Sequence, residues 1–178
     1  NASRPALRNP RATPSGDAAV RGLGVEIVAS YPHDPEAFTQ GLVLLDDRTL
    51  LESTGLYGRS SLREVDLETG AIRRSRDLPP DLFAEGLALV GDELLQLTWR
   101  EQVAVRSALD SFEMVDSHRY EGEGWGLCFD GSRLVMSDGS SRLTFRRPDD
   151  LGVVGQVTVT VGSAPIAMIN ELECVGDR

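Results

Sequence analysis

Lysine is missing from the chain altogether: all 18 basic residues are Arg, set against 28 Asp and Glu for a net charge of −10. A surface of that sign repels a phosphate backbone, which excludes a nucleic-acid partner. Cysteine is almost as scarce. Cys128 and Cys174 are the only two, their spacing fits no CxxC or clustered metal pattern, and they read as buried small hydrophobes rather than a disulfide. The two histidines, His33 and His118, have no acidic or Cys partner at ligand spacing. No structural or catalytic zinc is expected, nor any other metal or cofactor. No apolar run approaches the ~20 residues of a membrane span, and no stretch has convincing helical periodicity.

The chain opens on Asn, and residues 1–22 mix Arg, Pro, Ala and Ser without period. They read as a flexible leader, such as remains after removal of an export signal, ahead of a folded domain over 23–178. A secreted or periplasmic protein is the expectation.

What the chain does have is a repeat. FTQGLVLL from Phe38 returns as FAEGLALV from Phe83, as EGWGLCFD from Glu123 and as MINELECV from Met168. The residue before Gly-Leu (Glu-Leu in the last copy) is Gln40, Glu85, Trp125 and Asn170, at intervals of 45, 40 and 45. Each full copy begins with an apolar strand: Leu42–Leu45, Leu87–Val90 or Leu127–Phe129. A turn signal follows at Asp46-Asp47, Gly91-Asp92 or Asp130-Gly131, and three more short strands come after it. Four strands per ~40–45 residues is the spacing of propeller blades. A β-sandwich of unequal hairpins is the alternative, but it does not explain why the same residues recur at one place in each unit. Glu52, Asp66, Glu68, Asp92 and Asp138 read as turn and loop residues.

In a propeller the innermost strands line the central channel. Gln40, Glu85, Trp125 and Asn170 then converge from successive units around one mouth of it. A regular backbone that varies one side chain at a converging ring is the pattern of a site on a repeat scaffold. A water-filled channel with polar lining has the same pattern.

PHDPEAFTQGL, ESTGLYGRSSLREVDLETG, FAEGLALVGDELLQLTWRE, WGLCFDGSRLVMSDGS and NELECV, in this order from about Tyr31 to Val175, resemble the plant-type and bacterial glutaminyl cyclases (glutaminyl-peptide cyclotransferases). The resemblance implies an all-β, five-bladed propeller. It also implies conversion of an N-terminal Gln of a peptide or protein to pyroglutamate with release of ammonia, without a metal. The family pattern falls on Phe38, Gln40, Phe83, Glu85, Trp99, Trp125 and Asn170, four of which are the ring positions of the repeat. In the roles it implies, Glu85 shuttles the proton from the attacking α-amine to the departing ammonia, at a pKa raised by burial among Phe83, Trp99 and Trp125. Asn170 hydrogen-bonds the carbonyl oxygen as it becomes an oxyanion. Gln40 positions the substrate between the aromatic walls. The bland alternative makes Trp99 and Trp125 filler between blades, with Phe38 and Phe83 half core and half pocket.

The chain departs from the family in two respects: it has no lysine to polarise the scissile carbonyl, and no tryptophan follows the Asn-Glu-Leu-Glu block. It holds about three blades and the first strand of a fourth, whereas five blades need roughly 225 residues. A fragment of a longer protein, monomeric when complete and inactive or nearly so as a fragment, is the expectation. Two other functions compete with the cyclase. One is a non-catalytic propeller that binds a peptide end or a partner protein at the channel. The other is a calcium-dependent sugar or lactone hydrolase, for which Gln40, Glu85, Trp125 and Asn170 supply too few carboxylates.

Overall fold

The computed structural model describes residues 22 and 24–176. The leader expected over residues 1–22 therefore lies outside the described residues, apart from Gly22. Every regular element among them is a strand. β1 (Thr39–Asp46), β2 (Thr49–Thr54), β3 (Ser61–Asp66) and β4 (Ile72–Asp77) form one antiparallel sheet in chain order. β5 (Ala84–Val90), β6 (Glu93–Thr98), β7 (Val103–Ala108) and β8 (Met114–Arg119) form the second. β9 (Leu127–Phe129), β10 (Leu134–Ser137), β11 (Arg142–Arg146) and β12 (Val153–Thr158) form the third. A small hairpin, β13 (Thr160–Val161) and β14 (Ala164–Pro165), follows. The three sheets are propeller blades, as the repeat predicts.

Short polar turns close the hairpins. The Asp46 carboxylate accepts from the Arg48 amide at 2.8 Å. Asp130 does the same for the Ser132 and Arg133 amides at 3.0 and 2.9 Å, and Gly91 supplies a left-handed φ of 62° between β5 and β6. The outer strands β4, β8 and β12 are exposed along almost their whole length, while β5 is buried over its first five residues.

The core lies between the faces of consecutive blades. Leu51 and Leu62 of the first blade pack with Leu87, Leu94 and Phe112 of the second. Leu95, Leu97 and Tyr120 of the second pack with Leu127, Leu134 and Met136 of the third. Burying such side chains is worth about 1.5–3 kcal/mol each, so the blades stabilise one another face to face.

The Gly of each repeat is where the inner strands meet. A Cβ on Gly41 would lie 2.6 Å from the Leu87 nitrogen, and one on Gly86 would lie 2.5 Å from the Leu127 nitrogen. One on Gly126 would overlap the Asn170 carbonyl oxygen. Backbone meets backbone there, and the Gly86 amide donates to the Trp125 carbonyl at 2.7 Å.

Several expectations are corrected. Cys128 and Cys174 form a disulfide, with Cα atoms 5.5 Å apart. Their separation of 46 residues is one blade period, so the repeat itself brings them to neighbouring inner segments. Glu52 is no turn residue: it lies in β2, 1% exposed, where its Oε1 accepts from the Thr39 hydroxyl at 2.6 Å and bonds His33 Nε2 at 2.9 Å. β8 begins only at Met114, because Phe112 takes a left-handed φ of 60° and turns into the core beneath the Arg74 guanidinium. The segment around Asn170, expected as the first strand of a fourth blade, pairs with no strand among the described residues.

Gly86→Ala is expected to destabilise the fold by about 1–3 kcal/mol through overpacking against backbone that has no room to give, whereas Gly24→Ala, with nothing within 4 Å of the added carbon, should be nearly neutral. Urea unfolding of the two variants checks this. Replacing both cysteines by Ala should lower stability by about 2–4 kcal/mol, and dithiothreitol should lower the wild-type midpoint without affecting the double variant.

Candidate active site

Two of the four ring residues, Glu85 and Asn170, are held in place through their own carbonyls. The Ser53 hydroxyl of β2 donates to the Glu85 carbonyl at 2.5 Å and accepts from the Gln96 amide at 2.8 Å. One blade pair further on, the Ser137 hydroxyl of β10 donates to the Asn170 carbonyl and accepts from the Gly126 amide, both at 2.7 Å. Ser53 lies opposite Gly41 in the β1–β2 register. In both cases the second strand of one blade anchors the site residue of the next.

Their side chains converge. Phe38, Gln40, Phe83, Glu85, Trp99, Trp125 and Asn170 line one open cavity of about 270 Å³. All seven sequence-predicted residues are brought together, although they come from three blades and a fourth segment. Gln40 and Glu85 are the second residues of β1 and β5. Trp99 follows β6, Trp125 precedes β9, and Asn170 sits on the extended segment crossing Gly126. The cavity is small, just under the ~300 Å³ at which drug-sized pockets begin.

Phe83 is the hub of the aromatic wall. Its ring centroid lies 6.0 Å from Phe38, 5.4 Å from Tyr57 and 5.5 Å from Trp99, all edge-on or tilted, as ring quadrupoles prefer. Gly55 makes room for it, since a Cβ there would strike the Phe83 ring. The Trp125 ring rests on Gly139, where an added Cβ would lie 2.7 Å from a ring carbon.

Glu85 is the titratable group at the centre. It is 5% exposed, and no Arg or His among the described residues forms an ion pair with it. Burial pushes its carboxyl up to about 8; a hydrogen bond from the Gln40 side chain opposes this, and the charges of Glu123 and Glu101 add to it. The group is thus poised to gain and lose a proton near neutral pH. A larger cleft of about 520 Å³ opens between the second and third blades. Two of the guanidinium groups there are engaged: Arg142 pairs with Asp138, and Arg146 donates to the Leu151 carbonyl.

Residues singled out by neither repeat nor resemblance also shape the site. Glu123 accepts from both indole nitrogens, Trp99 at 2.8 Å and Trp125 at 3.0 Å. Tyr57 donates to Glu101 at 2.7 Å at the rim. The available signal for Glu123 was its place two residues before Trp125, since positions two apart share a face of an extended chain.

The family model described as glutamine cyclotransferase matches residues 4–178. A glutaminyl-peptide cyclotransferase of Arabidopsis thaliana is 39% identical over 155 residues, covering 86% of this chain and 48% of that protein. The crystal structure of Myxococcus xanthus glutaminyl cyclase superposes with a TM-score of 0.77 at 41% identity, over 84% of this chain and 63% of that one. The chain therefore spans about half the length of the curated relative. The WD40 repeats of RRP9 share the fold alone, with a TM-score of 0.55 at 13% identity over 71% of this chain and 40% of that one.

Because the folded state holds Glu85 at about 8 rather than the ordinary 4.5, it favours the neutral form. The stability this group allows is complete below pH 4.5 and is lost as pH rises through 8. Glu85→Gln, permanently neutral, should therefore melt with wild type at pH 4 and above it at pH 9, by an amount on the order of a few kcal/mol. Thermal melts of both proteins across that range measure the difference, and parallel curves would contradict the assignment.

Proposed function

As the chain belongs to the glutamine cyclotransferase family, we propose that its cavity binds the N-terminal Gln of a peptide or protein and closes it to pyroglutamate, releasing ammonia. The observation that carries this reading is Glu85: a buried carboxylate without a cationic partner among the described residues, raised to about 8 and set among aromatic walls.

In the reaction the α-amine nitrogen attacks the substrate's own γ-carboxamide carbon. A C–N bond forms to close the ring, and the bond to the amide nitrogen breaks. One proton must leave the attacking nitrogen and one must reach the departing one. Glu85 performs both transfers and ends as it began. A peptide α-amine has an ordinary pKa of about 7.7–8.0, close to that of Glu85, so neither transfer runs steeply uphill.

The carbonyl oxygen gains negative charge as the ring closes, and the Asn170 amide, on the cavity wall, is the donor that meets it. Phe38, Phe83, Trp99 and Trp125 confine the flat carboxamide, so the intramolecular attack starts near its reacting geometry. Gln40 orients both partners, because its amide bonds Glu85 and lines the cavity that the substrate enters. No lysine is available within these 178 residues to assist at the carbonyl. The activity is accordingly assigned to the intact protein, with the residues above as the share this chain supplies. The disulfide fits an oxidising compartment, which favours an exported enzyme.

Mass spectrometry of a Gln-Phe-Ala peptide incubated with the intact protein tests the reading through loss of one ammonia. Glu85→Gln should lower kcat by about 10²–10⁴ while the peptide still binds, and Asn170→Ala by about 10²–10³. Full turnover by Glu85→Gln would remove it as the shuttle, and binding without turnover by wild type would favour a recognition module.

A further inference from the structure

Glu123 stands outside the cavity lining, yet both walls of the cavity lead back to it. A single carboxylate oxygen, Oε2, accepts from the Trp99 indole nitrogen at 2.8 Å and from the Trp125 indole nitrogen at 3.0 Å. The other oxygen accepts from Arg100 Nε at 3.1 Å, and the Arg100 guanidinium lies 3.7 Å over the Trp99 ring. These are the only two tryptophans in the chain. Trp99 comes from the loop after β6, whereas Glu123 and Trp125 lie on the approach to β9, so the contact joins the second and third blades. The backbone reinforces it: the Gly124 amide donates to the Trp99 carbonyl at 2.8 Å.

We propose that Glu123 is a positioning residue for the reaction: one carboxylate that fixes the two indole walls at a common angle and takes up both of their N–H donors. The inference rests on the cyclase reading of the site. An indole has one donor and no acceptor, and when half-buried it seeks a partner. A charged acceptor makes that bond short and directional. With both donors occupied, the indoles offer the substrate only ring surface. They cannot compete with Asn170 for the carboxamide oxygen, and the carboxamide is held by shape between two fixed planes.

Three variants of the intact protein decide the matter, each measured by peptide cyclisation kinetics and by the ¹⁵N–¹H signals of the two indoles, assigned through Trp99→Phe and Trp125→Phe. Glu123→Ala should move both indole signals and lower kcat by roughly 10–100-fold with little change in KM, the cost of a misplaced wall. Glu123→Gln, whose amide oxygen can still accept both bonds, should keep both signals near their wild-type positions and retain most of the activity. Glu123→Asp keeps the charge but not the reach; it should move at least one signal and fall between the other two, and it serves if the Ala variant does not fold. Unmoved indole signals in both Ala and Asp variants, or a Gln variant as impaired as Ala, would overturn the proposal. Absence of cyclisation by wild type would instead sink the reading of the site, with the indole signals still deciding whether Glu123 holds the walls.

Discussion

Backbone-to-backbone contact between consecutive inner strands is the constraint on which the rest of the molecule depends. At Gly41, Gly86 and Gly126 the next inner segment passes so close that even a methyl group would strike main-chain atoms. This proximity sets how far apart successive blades lie, and hence how their faces interlock. Leu87 can reach Leu51 and Leu62, and Leu127 can reach Leu95 and Leu97, because the strands that carry them are drawn together at these points. Larger residues there would force the blades apart and open both cores.

The same contact makes the site. A residue just ahead of a Gly that touches the neighbouring strand has its backbone fixed from two sides. For Glu85, Ser53 adds a third restraint by bonding its carbonyl, and Ser137 bonds the carbonyl of Asn170, which precedes Glu171 rather than a Gly, in the same way. Side chains on so constrained a main chain are aimed rather than free, which positional catalysis requires. The disulfide continues the pattern, since it ties β9 to the segment four residues beyond Asn170 and so holds that amide against the third blade.

The electrostatics of the cavity run against solvation. The charges of Glu123 and Glu101 help to raise Glu85, and the charge of Glu85 helps in turn to raise Glu171, yet Glu85 and Glu123 are treated differently by their surroundings. Bonds from Trp125, Trp99 and Arg100 hold Glu123 below the usual carboxylate range. Glu85, with only an amide to bond it, is pushed to the neutral form. One environment thus shifts two neighbouring carboxyls in opposite directions, as paired carboxylates at a site commonly are.

Much of this was legible in the sequence because a propeller writes its architecture as a period. The spacing of the Gly-Leu steps located the inner strands, the turn residues located the hairpins, and the residues ahead of Gly41, Gly86 and Gly126 marked the ring; the resemblance to glutaminyl cyclases added Phe38, Phe83 and Trp99. Short-range signals could carry these features, since each depends on strand alternation and turn chemistry within one copy. The disulfide, the burial of Glu52 and the inward turn of Phe112 were decided only by the tertiary structure. So was the meeting of Trp99 and Trp125 on one oxygen of Glu123. Each is a contact between groups from different strands or blades, and its existence depends on the angle and distance at which those elements pack, quantities that no single copy of the repeat contains.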